Sequence, residues 1–172
     1  GAGMQGIKDL EDGLKGLAPK KFPYQIAGNC LPHIDVFLEN GYTKEEMKMI
    51  EETRKILHSD DLKITATTVR VPVLNSHSES INVELNSPFE LEDIFKLFEK
   101  TEGLTVFDNL DELKYPTALD VSGKDDVYVG RIRRDFSLDN GLNLWVVADN
   151  IRKGAALNAV QIAEVLIKNE WL

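Results

Sequence analysis

The chain has 172 residues, room for one domain of ordinary size, and 42% of them are hydrophobic, enough to bury a core. Asp and Glu outnumber Lys and Arg by 29 to 20, a formal charge of −9, and no basic stripe breaks that balance, which argues against a nucleic-acid partner. No apolar run is long enough to span a bilayer and no export signal shows, so a soluble, cytoplasmic protein is expected, and the one cysteine, Cys30, excludes an internal disulfide.

The opening Gly1-Ala2-Gly3 reads as a chain entered in mid-fold, with the remnant of a cleaved tag as the plainer alternative. Ile7, Leu10, Leu14 and Leu17 recur at three and four, predicting a helix over 4–17 that Gly13 and Gly16 weaken. Pro19, Pro23 and Pro32 punctuate the next stretch, with 24–27 a short strand candidate and Gly28-Asn29 a turn. Thr43 and Glu46 form a capping box, and Met47, Ile50, Arg54 and Leu57 continue a helix over 44–57 that sets Glu45 and Lys48 on one face.

Residues 62–71 are rich in β-branched side chains, and 79–85 alternate with Ile81, Val83 and Leu85 on one face, so both are predicted strands. Ser87-Pro88-Phe89-Glu90 looks like a second capping box with proline at the first helical position, opening a helix over 88–100. After an irregular stretch at 114–122, strands at 127–134 and 142–148 flank Asp139-Asn140-Gly141 and read as an antiparallel hairpin. A last helix over 151–169 would turn Leu157, Val160, Ala163, Leu166 and Ile167 inward.

Strands and helices in this order make an α+β fold: a single domain over 1–172, with a mixed, largely antiparallel sheet and helices on one face. Val127, Val129, Leu142, Leu144 and Val146 suggest that the other face is apolar, and a second copy of the chain is its economical cover.

Chemistry concentrates in Val69-Arg70-Val71-Pro72-Val73-Leu74-Asn75-Ser76-His77. A guanidinium in an apolar strand needs an anion, from the protein as an ordinary ion pair or from a ligand. Imidazole can serve as general acid or base, although a lone histidine among serines is more often unremarkable. Seven residues apart, Arg70 and His77 would face oppositely on an unbroken strand, and Pro72 with Asn75-Ser76 supplies a break that could aim them together. Asp149-Asn150 reads most simply as a helix cap, Glu45 and Lys48 as a solvated pair, and Cys30 as a small buried hydrophobe rather than a nucleophile.

The opening GAG, YQIAGNCLPHIDVFLENGYTKEEMKM, the threonine-rich run into VRVPVLNSHSES, then YVGRIRRD and LWVVADNIRKGAALNAVQIAE stand in the order seen in the bacterial aspartate-β-semialdehyde dehydrogenases. Over nearly all its length the chain resembles the C-terminal catalytic and dimerisation domain of that family, which has the glyceraldehyde-3-phosphate-dehydrogenase-like fold. The resemblance implies that Arg70 binds the substrate α-carboxylate, that His77 is the acid/base, and that Glu45 and Lys48 contact substrate and phosphate. It also implies cofactor contacts at Asn150 and Gly1, with NADP as cofactor and no metal.

The implied reaction is reduction of L-aspartyl-4-phosphate to the semialdehyde through a cysteine thioester, a step toward lysine, diaminopimelate, threonine and methionine. The family's nucleophilic cysteine and its NADP-binding domain lie upstream of the GAG segment, so the chain by itself is expected to be inactive and to partner that domain as well as a second copy of itself. Two other readings stay open. One is a non-catalytic dimerisation module with a vestigial site, and the other a sister acyl-phosphate reductase such as N-acetylglutamyl-phosphate reductase.

Overall fold

A computed structural model describes residues 2–171, which form two compact units, one running to Leu74 and one beginning at Asn75. The first unit holds α1 (Gly3–Leu14) and α2 (Lys44–Leu57) joined by long turns. The second holds β1 (His77–Glu84), α3 (Leu91–Glu99), β2 (Leu104–Val106), α4 (Ala118–Val121), β3 (Val127–Asp135), β4 (Gly141–Ala148), a π-helical turn at Arg152–Ala156 and α5 (Leu157–Lys168).

In α1 the residues turned inward are Gly6, Asp9 and Gly13, whereas Leu14 and Leu17 of the apolar series are exposed. The reason lies in Asp9. Its buried carboxylate accepts the backbone N–H groups of Lys20 (3.0 Å), Lys21 (2.6 Å) and Phe22 (3.1 Å), so α1 is fastened to the following loop by charge-assisted hydrogen bonds as well as apolar contact. Helix α2 begins and ends as predicted, with both halves of the capping box present.

Two strands predicted in this unit are not formed. Residues 24–27 run through bends into the turn at Gly28, and of 62–71 only Arg70 pairs, in an isolated antiparallel bridge with Leu31. β-branched composition favours a strand only where a neighbouring strand receives its backbone groups. Here one of them, the Thr68 N–H, goes to a Glu46 side chain.

The sheet of the second unit runs β1-β4-β3-β2, antiparallel except for β2 alongside β3, as a mixed α+β architecture requires. One face carries Val129, Ile132, Leu142, Leu144 and Val146 from β3 and β4 with Leu104 and Val106 from β2, packed under Phe89, Leu91, Ile94, Phe95 and Phe98 of α3 and its approach. On an uninterrupted strand Val129 and Ile132 would point to opposite faces. A bulge between Gly130 and Arg133, with Arg131 in the left-handed region at φ 54°, adds the residue that returns Ile132 to the core.

Of the apolar residues expected to await a second copy, Val129, Leu142, Leu144 and Val146 are therefore already packed with α3. The opposite face holds Ser78, Ser80, Asn82, Tyr128, Asn143, Trp145 and Val147, most of them polar, as the strand register shows. Part of it lies under the Phe107–Pro116 segment, whose Pro116 carbonyl accepts from Trp145 Nε1 (2.9 Å).

Two helices depart from expectation. α3 starts at Leu91 with Glu90 as an uncapped N-cap, so the Ser87/Glu90 box does not form. α5 starts at Leu157 after the π turn, in which Ala155 has non-helical φ/ψ of −146° and −112°, and its main contacts are with that turn. Leu157 and Leu166 are half-buried, but Ala163, Val160, Ile162, Val165 and Ile167 are exposed, so the inward stripe is not realised within the unit.

Candidate functional site

In the first unit, Glu46 organises the neighbourhood of the substrate-binding candidates. Its Oε2 accepts the Thr43 N–H (2.8 Å) in the capping box, and its Oε1 accepts the Thr68 N–H (2.8 Å), two residues ahead of Arg70. One buried carboxylate thus ties the helix start that carries Glu45 and Lys48 to the segment that carries Arg70. The backbone donors of Thr43 and then Thr68 hold that carboxyl below the usual carboxylate range.

Arg70 is fixed along its backbone by the paired bonds Leu31 N–H to Arg70 O (2.9 Å) and Arg70 N–H to Leu31 O (2.7 Å). Its guanidinium lies 5.9 Å from the Phe22 ring and, among the described residues, ion-pairs with no carboxylate. Glu45 is half-buried and Lys48 exposed, three residues apart on α2, and neither is spent in an ion pair among the described residues. A guanidinium with no internal counter-ion can bind a ligand carboxylate bidentately, and a free ammonium can take a phosphate.

In the second unit, His77 is exposed at the first position of β1, opposite Ala148. Just ahead of it Ser76 sits in the left-handed region at φ 75°, its N–H donating to Asn150 Oδ1 (2.9 Å). Asn75 Nδ2 donates to Asp149 Oδ2 (3.0 Å) and meets Ser122 Oγ (2.8 Å). Asp149 also accepts from Gly123 N–H (2.7 Å) at Oδ2, and from Ile151 N–H (2.8 Å) and Arg152 N–H (3.1 Å) at Oδ1, which makes it the cap expected at this junction.

Burial of Asp149 by itself would push its carboxyl up. The donors of Gly123, Ile151, Arg152 and Asn75 outweigh that and hold it below the ordinary range. Asn150 Nδ2 makes no hydrogen bond among the described residues.

The structure thus brings His77 and Asn150 together through Ser76, and Glu45, Lys48 and Arg70 into one unit around Glu46. Gly1 lies outside the described residues. Glu46 and Asp149 as anchors were not foreseen beyond their capping roles, nor Asn75 beyond a break in the strand, because partners 22 and 74 residues away leave no local signal. Cys30 is exposed rather than buried, with its N–H taken by Asn29 Oδ1 (3.0 Å). A surface depression lined by Leu91, Arg133, Phe136 and Asn143 contains none of the candidate residues.

Comparison with known proteins gives one consistent result. Residues 1–153 match the family described as semialdehyde dehydrogenase, dimerisation domain. The chain is 51% identical to the aspartate-semialdehyde dehydrogenase of Aquifex aeolicus over 98% of its own length and 52% of that protein's. The crystal structure of aspartate-semialdehyde dehydrogenase II from Vibrio cholerae, complexed with ASA, superposes with a TM-score of 0.87 at 46% identity, over 95% of this chain and 49% of that one. The aspartate-semialdehyde dehydrogenase of Candida albicans, solved with NADP, matches at a TM-score of 0.65 and 27% identity, over 86% of this chain and 47% of that one. The chain spans about half the length of the curated relatives it matches.

Proposed function

The chain belongs to the semialdehyde dehydrogenase family, through its dimerisation domain, and on that footing we propose that it is the substrate-binding half of an NADP-dependent aspartate-semialdehyde dehydrogenase. The observation that carries the reading is the 51% identity over 98% of the chain to a protein of that activity. The reaction proposed is reduction of L-aspartyl-4-phosphate to the 4-semialdehyde, on the route to lysine, threonine and methionine.

The roles follow the chemistry of the side chains. Arg70, without an internal counter-ion, grips the substrate α-carboxylate as a fork, Glu45 takes the α-ammonium, and Lys48 takes the phosphate. His77, exposed at its strand start, holds the proton exchanged with the substrate's reacting oxygen. The donors present fit a nicotinamide cofactor to the extent that Asn150 Nδ2 is unspent and could donate to a carboxamide oxygen; Gly1 is assigned with it. When bound, NADPH supplies the hydride. The chain's own share is to bind, orient and move a proton.

A homodimer is part of the proposal, supported by the family's description as a dimerisation domain. A larger assembly is also supported by α5, whose Val160, Ile162, Val165 and Ile167 lie on several sides of the helix and are all at least half exposed, a pattern typical of helices with neighbours all round. Among the described residues no helix is long and apolar enough to cross a membrane.

The test is kinetic, in the full-length protein that carries this chain. Arg70→Lys keeps the charge but not the two-pronged geometry, so kcat/KM for the semialdehyde should fall by the equivalent of roughly 2–3 kcal/mol, the scale of a hydrogen bond to a charged group. Unchanged kinetics would return Arg70 to a structural role.

A further inference from the structure

His77 is preceded by two residues held far more firmly than the start of a strand requires. Ser76 occupies a left-handed backbone conformation, uncommon outside glycine, and its Oγ is buried without a hydrogen-bond partner. Such a conformation persists only where its surroundings over-determine it, and orphaned buried polar atoms gather at functional sites. The surroundings here are Asn75 on Asp149 and Ser122, and Ser76 N–H on Asn150.

Asp149 is 2% exposed and joins three separate stretches of chain: the approach to β1 through Asn75, the end of α4 through Gly123, and the turn after β4 through Ile151 and Arg152. A carboxylate that only capped the turn after β4 would have no need of Asn75. Its second oxygen instead reaches across to the residue two positions before His77.

We propose that Asn75 and Asp149 are positioning residues for His77: their hydrogen bond holds Ser76 in its left-handed conformation and so fixes the start of the strand that carries the imidazole. The inference rests on the proposed function, in which His77 carries the proton. It adds that the proton carrier and the cofactor-side amide share one rigid clasp, so that loosening the clasp slows the chemical step and leaves substrate binding nearly intact.

The experiment uses the full-length protein and measures kcat, KM for the semialdehyde, melting temperature and the His77 ring resonances. Asn75→Ala should lower kcat about tenfold or more while KM stays within about threefold, since small displacements of a reacting group cost rate more than affinity, and the His77 signals should shift or broaden. Ser76→Gly keeps every hydrogen bond named while freeing the backbone, so it should fold at least as stably and still lose kcat. A lowered melting temperature with kcat within about twofold of the parent would overturn the positioning role. His77→Ala separates the two claims: if it remains active the acid/base reading fails and this inference with it, whereas an inactive His77→Ala beside a normal Asn75→Ala sinks this inference alone.

Discussion

Asp9, Glu46 and Asp149 are buried carboxylates, and each is satisfied mainly by backbone N–H groups rather than by a cation. Burial by itself would raise the Asp9 carboxyl, but the Gln5 side chain and the N–H groups of Lys21, Phe22 and Lys20 lower it from 3.8 to about 2. Because the folded-state value lies below the unfolded one, this contribution to stability is present above about pH 4 and is lost as pH falls toward 2. Melting temperature followed from pH 5 down to 2 should therefore drop more steeply for the parent than for Asp9→Asn, which starts lower and flattens; parallel curves would contradict it. Gly130 makes a second, steric prediction. A Cβ there would lie 2.5 Å from the Phe107 carbonyl oxygen and 2.6 Å from Pro116 Cδ, one a backbone atom and the other a rigid ring, so Gly130→Ala should cost about 1–3 kcal/mol or more in a denaturant melt. At this scale the sequence was partly legible. The Thr43/Glu46 box and the Asp149 cap could be read because their partners are two or three residues away, whereas Asp9 to Lys21 and Glu46 to Thr68 could not, because nothing local announces a hydrogen bond across a loop.

Elements were read best where periodicity and punctuation agreed. Helix α2 and the β3–β4 hairpin stand where pattern and turn residues placed them, and β1 keeps Ile81 and Val83 on one face. The 62–71 segment failed because strand composition is satisfied only by pairing, and its sole backbone pairing is the bridge at Arg70. β2 was missed because three residues give no period to detect. The face assignment failed for a different reason: alternation shows that β4 has one apolar face but not which neighbour covers it, and α3 does. Leu142, 4% exposed at the centre of that core, tests the corrected assignment. Leu142→Ala should cost about 2–5 kcal/mol in reversible unfolding, as a filled core position does, whereas a side chain waiting at an open face would cost far less in the monomer.

At the scale of the molecule, the sheet face away from α3 is polar, with Asn82 Nδ2 donating to Asn143 Oδ1 (3.1 Å) and Ser78 and Ser80 exposed. The dimer proposed for this chain thus rests on its family rather than on an apolar face, and stable interfaces of mixed polarity are ordinary. Sedimentation at micromolar concentration should give twice the chain mass, and a monomer there would remove the dimer from the proposal. An interface of obligate type would bury on the order of 2,000 Å² or more.

Catalysis by these 172 residues without others would face two obstacles. Reduction of an acyl phosphate by hydride through a covalent route needs a thiolate to accept the acyl group, and Cys30 is the sole thiol available. It is exposed, and among the described residues no imidazole or ammonium hydrogen-bonds to it. The cofactor also finds no Gly-rich phosphate-binding loop opening a helix in this sequence. Either deficit alone would suppress turnover, and together they lead us to expect none from the chain by itself. The measurement is phosphate- and semialdehyde-dependent NADPH formation, run on the chain alone and then with a separately produced NADP-binding domain of the same enzyme family. Activity appearing only in the mixture would support the half-enzyme reading. Turnover by the chain alone would overturn it and bring Cys30 forward as the nucleophile, which Cys30→Ser would then decide by abolishing or sparing that turnover.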